Sequence, residues 1–158
     1  MASDVTIRRA DFNDAEVIMN FWQELMDLHA GQEPFFKPAK DGKERFGFFL
    51  LQRLKEPEWL ILLAVKGEVP IGFLMGSIME YPRVFAESRF GFIQDMVVTA
   101  ACRGQGVGRQ LFQASLDWFA AQKVSRVELQ VAAVNDEAQA FWQKMGFRDF
   151  LHRWAREV

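Results

Sequence analysis

The chain has 158 residues, half of them hydrophobic, and a formal net charge of -2 at pH 7. This length fits one domain, which we predict to span residues 1–158, and the charge provides no positive field for nucleic acid. No apolar run is long enough to span a bilayer, so no membrane partner is expected. The single cysteine, Cys102, excludes an internal disulfide and fits a reducing, cytoplasmic setting.

The first third of the chain reads as one strand and two helices. Alternating residues from Val5 to Arg9 predict a short strand. Apolar residues at helical spacing predict a helix from Asn13 to about His29 and a second from Gly42 to Lys55. The second helix stops near Pro57 because proline disfavours the helical conformation of the residue before it. Residues 30–40, with one glycine and two prolines, are a predicted loop.

The middle of the chain predicts antiparallel strands. Trp59–Lys66 and Val69–Glu80 flank the tight turn Gly67-Glu68, which is the pattern of a β-hairpin. A third strand is predicted from Arg89 to Thr99, and Gly91 within it marks a bend.

The last third alternates helices and strands behind a glycine-rich turn. We predict a helix with one apolar face from Val107 to Trp118, then a strand from Arg126 to Val131. A helix from Asn135 to Met145, closed by Gly146, precedes a final predicted strand, Phe147–Trp154. The full order, β-α-α-β-β-β-α-β-α-β, predicts an α/β fold with one mixed, mostly antiparallel central sheet flanked by helices.

The glycine-rich turn is the most informative segment. It reads Arg103-Gly104-Gln105-Gly106-Val107-Gly108 and joins a predicted strand to a predicted helix. Glycine permits positive φ and close approach of backbone N–H groups to a ligand. The start of the helix adds unpaired N–H groups and the positive end of its dipole. The segment therefore predicts a phosphate or pyrophosphate site, with Arg103 and Arg109 able to pair with its oxygens.

Other interpretations of this turn stay open. A tight turn without a ligand explains the glycines about as well. The spacing excludes a Walker loop, and the dinucleotide fingerprint would require glycine in place of Arg109. Glu128 nevertheless lies where a ribose-binding acid would lie, so a nucleotide-binding α/β protein is an alternative.

Two motifs resemble those of the GNAT superfamily of acyl-CoA-dependent N-acyltransferases. The first, Arg or Gln, two residues, Gly, one residue and Gly or Ala, is matched by Arg103, Gly106 and Gly108. The second, Asn, two residues, Ala, two residues, an aromatic pair and Gly-Phe, is matched by Asn135, Ala138, Phe141-Trp142 and Gly146-Phe147. Both occur in the family's order, and the predicted elements match over essentially the whole chain. The resemblance therefore implies a GNAT-like acyltransferase fold.

The resemblance also implies acetyl-CoA as acyl-donor cosubstrate. In similar enzymes the N–H groups of Gln105 to Arg109 hold the CoA pyrophosphate, and the strand end Met96 to Val98 binds the pantetheine arm. A free N–H at a bulge there polarises the thioester carbonyl. The implied cofactor-binding residues are Met96, Val97, Val98, Arg103, Gly104, Gln105, Gly106, Val107, Gly108, Arg109, Asn135, Ala138, Phe141 and Trp142. Asn135 contacts the pantetheine or only caps the last helix.

Asp95 is the first candidate for the base that deprotonates an attacking amine. It alternates in phase with Ile93 and Val97, so its face of the strand is predicted to be apolar. Burial there raises the pKa of a carboxyl and makes it a better base. Some relatives use an acid at the equivalent position. The alternative is a structural ion pair with Arg83 or Arg89.

Two further residues are catalytic candidates. Glu80, at the end of the neighbouring strand, competes with Asp95 for the role of base. Many relatives carry tyrosine at the position of Trp142, as acid for the departing thiolate, and indole cannot supply a proton near neutral pH. Tyr81 is the only tyrosine and is the candidate replacement. Otherwise water protonates the thiolate, or it leaves unaided.

The loop after the first helix is the candidate acceptor site, because relatives place this loop over the acceptor pocket. Its acidic and aromatic residues suit a cationic amine. The substrate residues are His29, Glu33, Phe35 and Phe36. Neither histidine of the chain has a metal-ligand pattern, so no metal is expected. Cys102 has no motif partner and is expected to be non-catalytic.

The resemblance implies an enzyme that moves an acetyl group from acetyl-CoA to a primary amine of a small molecule by direct attack. Many relatives are homodimers, so a homodimer is expected. The alternative function is a catalytically degenerate GNAT domain that binds acyl-CoA as a sensor or interaction module, which Trp142 favours. The acceptor stays open among polyamines, aminoglycosides, amino acids, xenobiotic amines and protein N-termini.

Overall fold

A computed structural model of the chain describes residues 4–158, so the first three residues of the predicted domain lie outside it. The strands of the described part form one sheet in the order β1-β2-β3-β4-β5. Neighbours from β1 to β4 are antiparallel, and β5 is parallel to β4. The strands are β1 (Val5–Arg9), β2 (Trp59–Lys66), β3 (Val69–Glu80), β4 (Arg89–Val98) and β5 (Val127–Leu129).

Helices flank this sheet, and the mixed architecture confirms the predicted fold class. The α-helices are α1 (Ala15–Gln32), α2 (Gly42–Arg53), α3 (Val107–Ala121) and α4 (Asp136–Lys144). Short 3-10 helices lie at Phe12–Asp14, Pro34–Phe36 and Ala100–Cys102. None of the helices within residues 4–158 is both long and apolar enough to cross a membrane.

The period-two alternation of the strands separates two hydrophobic clusters. Leu62 of β2 packs with α3, whereas its neighbour Leu63 packs with α1 and α2 on the opposite face. The cluster on the α3 face includes Leu60, Leu74, Ile93, Leu111 and Phe119. The cluster on the α1 and α2 face includes Ile18, Phe21, Phe46, Phe73 and Val97.

The start of α1 is tied to β1 by charge. Asp14 accepts hydrogen bonds from the guanidinium of Arg8 at 2.7 and 2.8 Å and from the backbone N–H of Asp11. The Arg8 hydrogen bond holds the pKa of Asp14 below its usual value. The chain therefore leaves β1 in a fixed direction, and α1 runs back over the sheet.

The predicted strand Phe147–Trp154 is absent from the structure, a correction to the expected element order. Within the described chain, the residues after Gly146 form neither helix nor strand. Phe147 packs on Phe112 and Trp142, but the apolar residues beyond it are exposed, with Trp154 at 89%. Charged residues interrupt this segment, so it offers no continuous apolar face to pack on the sheet.

Candidate active site

The centre of the candidate site is an irregularity in β4. Met75 of β3 pairs with Asp95, and the next residue, Gly76, pairs with Ile93, so Gln94 is an extra residue in β4. This is a β-bulge. Ile93 consequently packs on the α3 face, whereas Val97 packs on the α1 and α2 face. The predicted alternation of Asp95 in phase with both residues is therefore wrong.

Asp95 lies on the α1 and α2 face, because directly paired residues share a face and its partner Met75 packs there. It is half-buried, and no hydrogen-bond donor or cation of the described residues contacts its carboxyl. The predicted alternative, an ion pair with Arg83 or Arg89, is thus not found. Burial raises the pKa of Asp95 to about 6, so this carboxyl can take up and release a proton near neutral pH.

An opening between β4 and β5 begins beside Asp95. The parallel ladder pairs Gly91–Ile93 with Val127–Leu129 and continues no further. The bulge at Gln94 follows directly, and β4 then runs on through Met96–Val98 without a partner on its β5 side. The predicted pantetheine-binding strand end therefore forms one wall of a gap in the sheet, where backbone groups are available to a ligand.

The glycine-rich turn lies at the same end of β4. Gly104 and Gly106 have φ angles of 72° and 82°, in the left-handed region that favours glycine. The first backbone hydrogen bond of α3 runs from Gln110 N to Gly106 O at 3.1 Å. Across the described chain, the N–H groups of Gln105 to Arg109 donate to no backbone acceptor. They form an unpaired cluster at the positive end of a 15-residue helix.

Side chains around this turn hold its shape. The Nε of Arg103 donates to Val98 O at 3.0 Å, and Gln105 donates to Ala101 O at 2.9 Å. Arg103 thus links the turn to the end of β4, in addition to any role toward a phosphate.

The second motif reaches the same place through Phe141. Its ring packs against Gly108 and close to Met96, so it joins the turn, the strand end and α4. Asn135 caps α4 by accepting a hydrogen bond from Ala138 N at 3.0 Å. Trp142 instead packs between Phe112 and Phe147 at centroid distances of 5.5 and 5.4 Å, so its indole belongs to the hydrophobic core.

Glu80 and Tyr81 are not brought to Asp95, a correction to the catalytic candidates. Glu80 pairs with Arg89 at the start of β4, about 17 Å along β3 from the partner of Asp95. The Tyr81 hydroxyl donates to Glu128 at 2.7–2.8 Å, and this bond raises the pKa of Tyr81.

Glu128 is already engaged, which removes the basis for the ribose-binding alternative. Besides Tyr81, it lies 3.3 Å from Arg126. Its side chain is only 10% exposed, and it ties the edge strand β5 to the end of β3.

The predicted acceptor loop lies at the end of the sheet where β4 ends. Phe21 of α1 packs on Phe73, the pairing partner of Val97, and His29 follows about two turns later. The rings of His29 and Phe36 pack with their centroids 5.7 Å apart, and burial lowers the pKa of His29. Phe35 points outward and is 84% exposed, and Glu33 accepts from its N–H at 3.3 Å.

Sequence reasoning missed Gln94 and Ser77. The Nε2 of Gln94 donates to Ser77 Oγ at 2.6 Å, and Ser77 is 2% exposed. The Oε1 of Gln94 is buried and accepts no hydrogen bond from the described residues. One signal was available, because Gly76 inside a predicted strand is typical of a bulge.

The described residues contain no group of three or more His, Cys, Asp or Glu side chains that could hold a metal ion. The site itself combines a carboxyl without a partner among the described residues, a gap in the sheet and a cluster of unpaired N–H groups.

Known proteins resemble this chain in sequence. The acetyltransferase (GNAT) family model matches residues 22–147. A protein of Archaeoglobus fulgidus described as an uncharacterized N-acetyltransferase is 25% identical over 142 residues, covering 90% of this chain and 92% of that protein.

Solved structures show the same fold. A tetramutant of the BH1408 protein from Bacillus halodurans has a TM-score of 0.85 at 19% identity, covering 97% of this chain and 99% of that chain. The aminoglycoside N-acetyltransferase AAC(6')-Iy, solved with CoA, has a TM-score of 0.75 at 19% identity, covering 98% and 94%. At these identities the likeness establishes the fold alone. Since the family model spans well over half of the residues, the chain belongs to the acetyltransferase (GNAT) family.

Proposed function

We propose that this chain is an enzyme that transfers an acetyl group from acetyl-CoA to a primary amine of a small molecule. The observation that carries the proposal is the run of N–H groups from Gln105 to Arg109, which donate to no backbone acceptor. Such a cluster at a helix N-terminus suits the diphosphate of coenzyme A. Family membership supports the same assignment.

The gap in the sheet suits the rest of the donor. With the diphosphate at the turn, the pantetheine arm extends along Met96–Val98, where β4 has no partner on its β5 side. A backbone N–H of that stretch polarises the thioester carbonyl. Phe141 covers the arm where it passes Gly108. The CoA complex of AAC(6')-Iy, which shares the fold, is consistent with a donor of this class.

Asp95 supplies the proton chemistry. The acceptor nitrogen forms a bond to the thioester carbonyl carbon, its proton passes to the carboxylate of Asp95, and the C–S bond breaks to release CoA thiolate. With its pKa raised to about 6 by burial, Asp95 is mostly ionised at pH 7 and still a better base than an ordinary carboxyl. Asp95 is preferred over Glu80, which lies at the other end of β3.

Release of the thiolate needs no tyrosine. The indole of Trp142 packs on Phe112 in the core, and Tyr81 lies far from Asp95 along the sheet. A thiol has a pKa near 8.5, so the thiolate is a fair leaving group at neutral pH. We therefore propose that it leaves unaided or takes a proton from water.

The packing of Trp142 in the core, which leaves no acid for the thiolate, also favours a second candidate function. A GNAT domain without an acid for the thiolate could bind acyl-CoA as a sensor or interaction module and catalyse nothing. The two functions differ only in turnover, because both require the N–H cluster of the turn.

Titration calorimetry with acetyl-CoA, followed by a thiol-release assay, tests the proposal. The panel of acceptors contains aminoglycosides, polyamines, amino acids and simple alkylamines. Binding with amine-dependent thiol release is the expected result. Binding without turnover on the whole panel would establish the sensor, and absence of binding to any acyl-CoA contradicts both functions. The cytoplasmic location and the homodimer stay predictions, which fractionation and sedimentation would test.

A further inference from the structure

We propose that Gln94 is a second hydrogen-bond acceptor for the attacking amine and that it makes the enzyme select primary over secondary amines. This inference rests on the proposed function and names the substrate class of the same site. It assigns Gln94 a role in specificity, whereas Asp95 carries the proton.

The bulge places the two side chains together. Gln94 and Asp95 are consecutive residues, and in a regular strand they would point to opposite faces. Here Gln94 reaches Ser77, which lies two residues after Met75 on β3 and therefore on the same face as Met75 and Asp95. Both side chains consequently lie on the α1 and α2 face of the sheet, where the strands β4 and β5 separate.

Acceptor oxygens of both side chains also receive no hydrogen bond from the described residues. The Oε1 of Gln94 is buried with no partner in the described chain, and the carboxyl of Asp95 has none either. A buried acceptor without a donor costs free energy until a ligand supplies one. Ser77 fixes the orientation of the amide by accepting from Nε2, so Oε1 is the atom left for a ligand.

Two adjacent acceptors match the two N–H bonds of a neutral primary amine. One N–H donates to Asp95, which takes the proton as the nitrogen attacks, and the other donates to Oε1 of Gln94. A secondary amine has a single N–H, so it leaves Oε1 without a donor. A site built to bind an N–H discriminates against an analogue that lacks it.

The experiment compares kcat/KM for matched pairs of an amine and its N-methyl derivative. The wild-type chain is expected to prefer the primary amine by at least about tenfold. The variant Gln94→Met keeps the side-chain length but has no strong acceptor, and its preference should fall by about tenfold. KM for acetyl-CoA should stay unchanged. The matched control is Gln113→Met, on an exposed position of α3, which should behave as wild type.

Gln94→Glu keeps an acceptor oxygen and serves as the rescue variant. It should retain most of the preference, and circular dichroism checks that each variant folds. An equal preference in wild type and Gln94→Met overturns the inference and leaves the proposed function intact, because any steric effect of the methyl group acts on both. Absence of turnover by the wild type with every amine overturns the proposed function, and this inference falls with it.

Discussion

Gly108 and Phe141 are in contact at the point where the glycine-rich turn meets the last helix. A Cβ built on Gly108 would come within 3.3 Å of Phe141 Cζ and 3.5 Å of Met96 Cε. The two residues belong to the two motifs that carry the family resemblance. The ring of Phe141 packs over the start of α3, and a methyl group at position 108 would require that ring to give by a few tenths of an ångström.

The glycines of the turn yield the first prediction. In Gly106→Ala, the φ of 82° becomes strained, which costs about 1–2 kcal/mol or shifts the backbone. Either outcome misaligns the N–H cluster, so the Kd for acetyl-CoA should rise by about tenfold or more, measured by calorimetry. Gly67→Ala is the matched control, because Gly67 also has a positive φ of 61° and open space around it. It should lose similar stability and keep the wild-type Kd. Equal affinities in both variants would contradict a diphosphate site at the N–H cluster of the turn.

Removal of the base is the second prediction. Asp95→Asn should lower kcat/KM by about 10²–10⁴-fold, which is the usual contribution of general base catalysis. In the wild type, activity should rise with pH through about 6, where Asp95 ionises, and this limb should be missing from the variant. The pH–rate profile of both proteins is the measurement. A limb near pH 6 that persists in Asp95→Asn would show that another group is the base.

Asp95→Asn is expected to lower kcat/KM but to raise the free energy of unfolding. Burial raises the native pKa of Asp95 from 3.8 to about 6, so the folded state binds its proton more tightly than the unfolded state. The contribution of Asp95 to stability is therefore greatest below pH 3.8 and is lost as pH rises through about 6. The loss approaches about 3 kcal/mol. Asp95→Asn should gain this amount relative to wild type between pH 4 and pH 8, measured by urea unfolding.

The sequence predicts the strands and the turn around this site better than the bulge at its centre. Continuous or alternating apolar residues locate β2 and β3, and Gly67 marks the turn between them. The glycine-rich turn is where its spacing predicts it. The resemblance implies a bulge near Met96–Val98, but the predicted alternation puts Asp95 in phase with Ile93 and Val97 and so does not locate the extra residue at Gln94. It is the bulge that decides which side chains accompany Asp95.

The third prediction concerns Trp142. Trp142→Tyr restores the residue that many relatives carry, yet we expect kcat to stay within about twofold of wild type. The ring at this position packs between Phe112 and Phe147, and the smaller ring should lower the free energy of unfolding by about 1 kcal/mol. Steady-state kinetics and urea unfolding measure the two effects. A large rise in kcat would mean that position 142 reaches the sulfur after all.

Tyr81→Phe is the fourth prediction. The loss of the hydrogen bond to the carboxylate of Glu128 should lower the free energy of unfolding by about 1.5–3 kcal/mol. Catalysis should be nearly unaffected, since Tyr81 lies at the end of the sheet away from Asp95. The pair of measurements is thermal unfolding and kcat/KM at saturating acetyl-CoA. A tenfold loss of kcat with unchanged stability would restore Tyr81 as a candidate acid.

The short ladder between β4 and β5 has a consequence for motion. The last strand is attached to the sheet by only three residues, Val127–Leu129. Strands with few backbone bonds separate from their neighbours more readily than long ones. One side of the gap therefore has few backbone bonds and is held mainly by the bond of Glu128 to Tyr81, while the other belongs to the extensively paired β3–β4 hairpin. If the proposed donor binds in this gap, small outward swings of β5 would admit its long, flexible arm and leave Asp95 and the bulge in place.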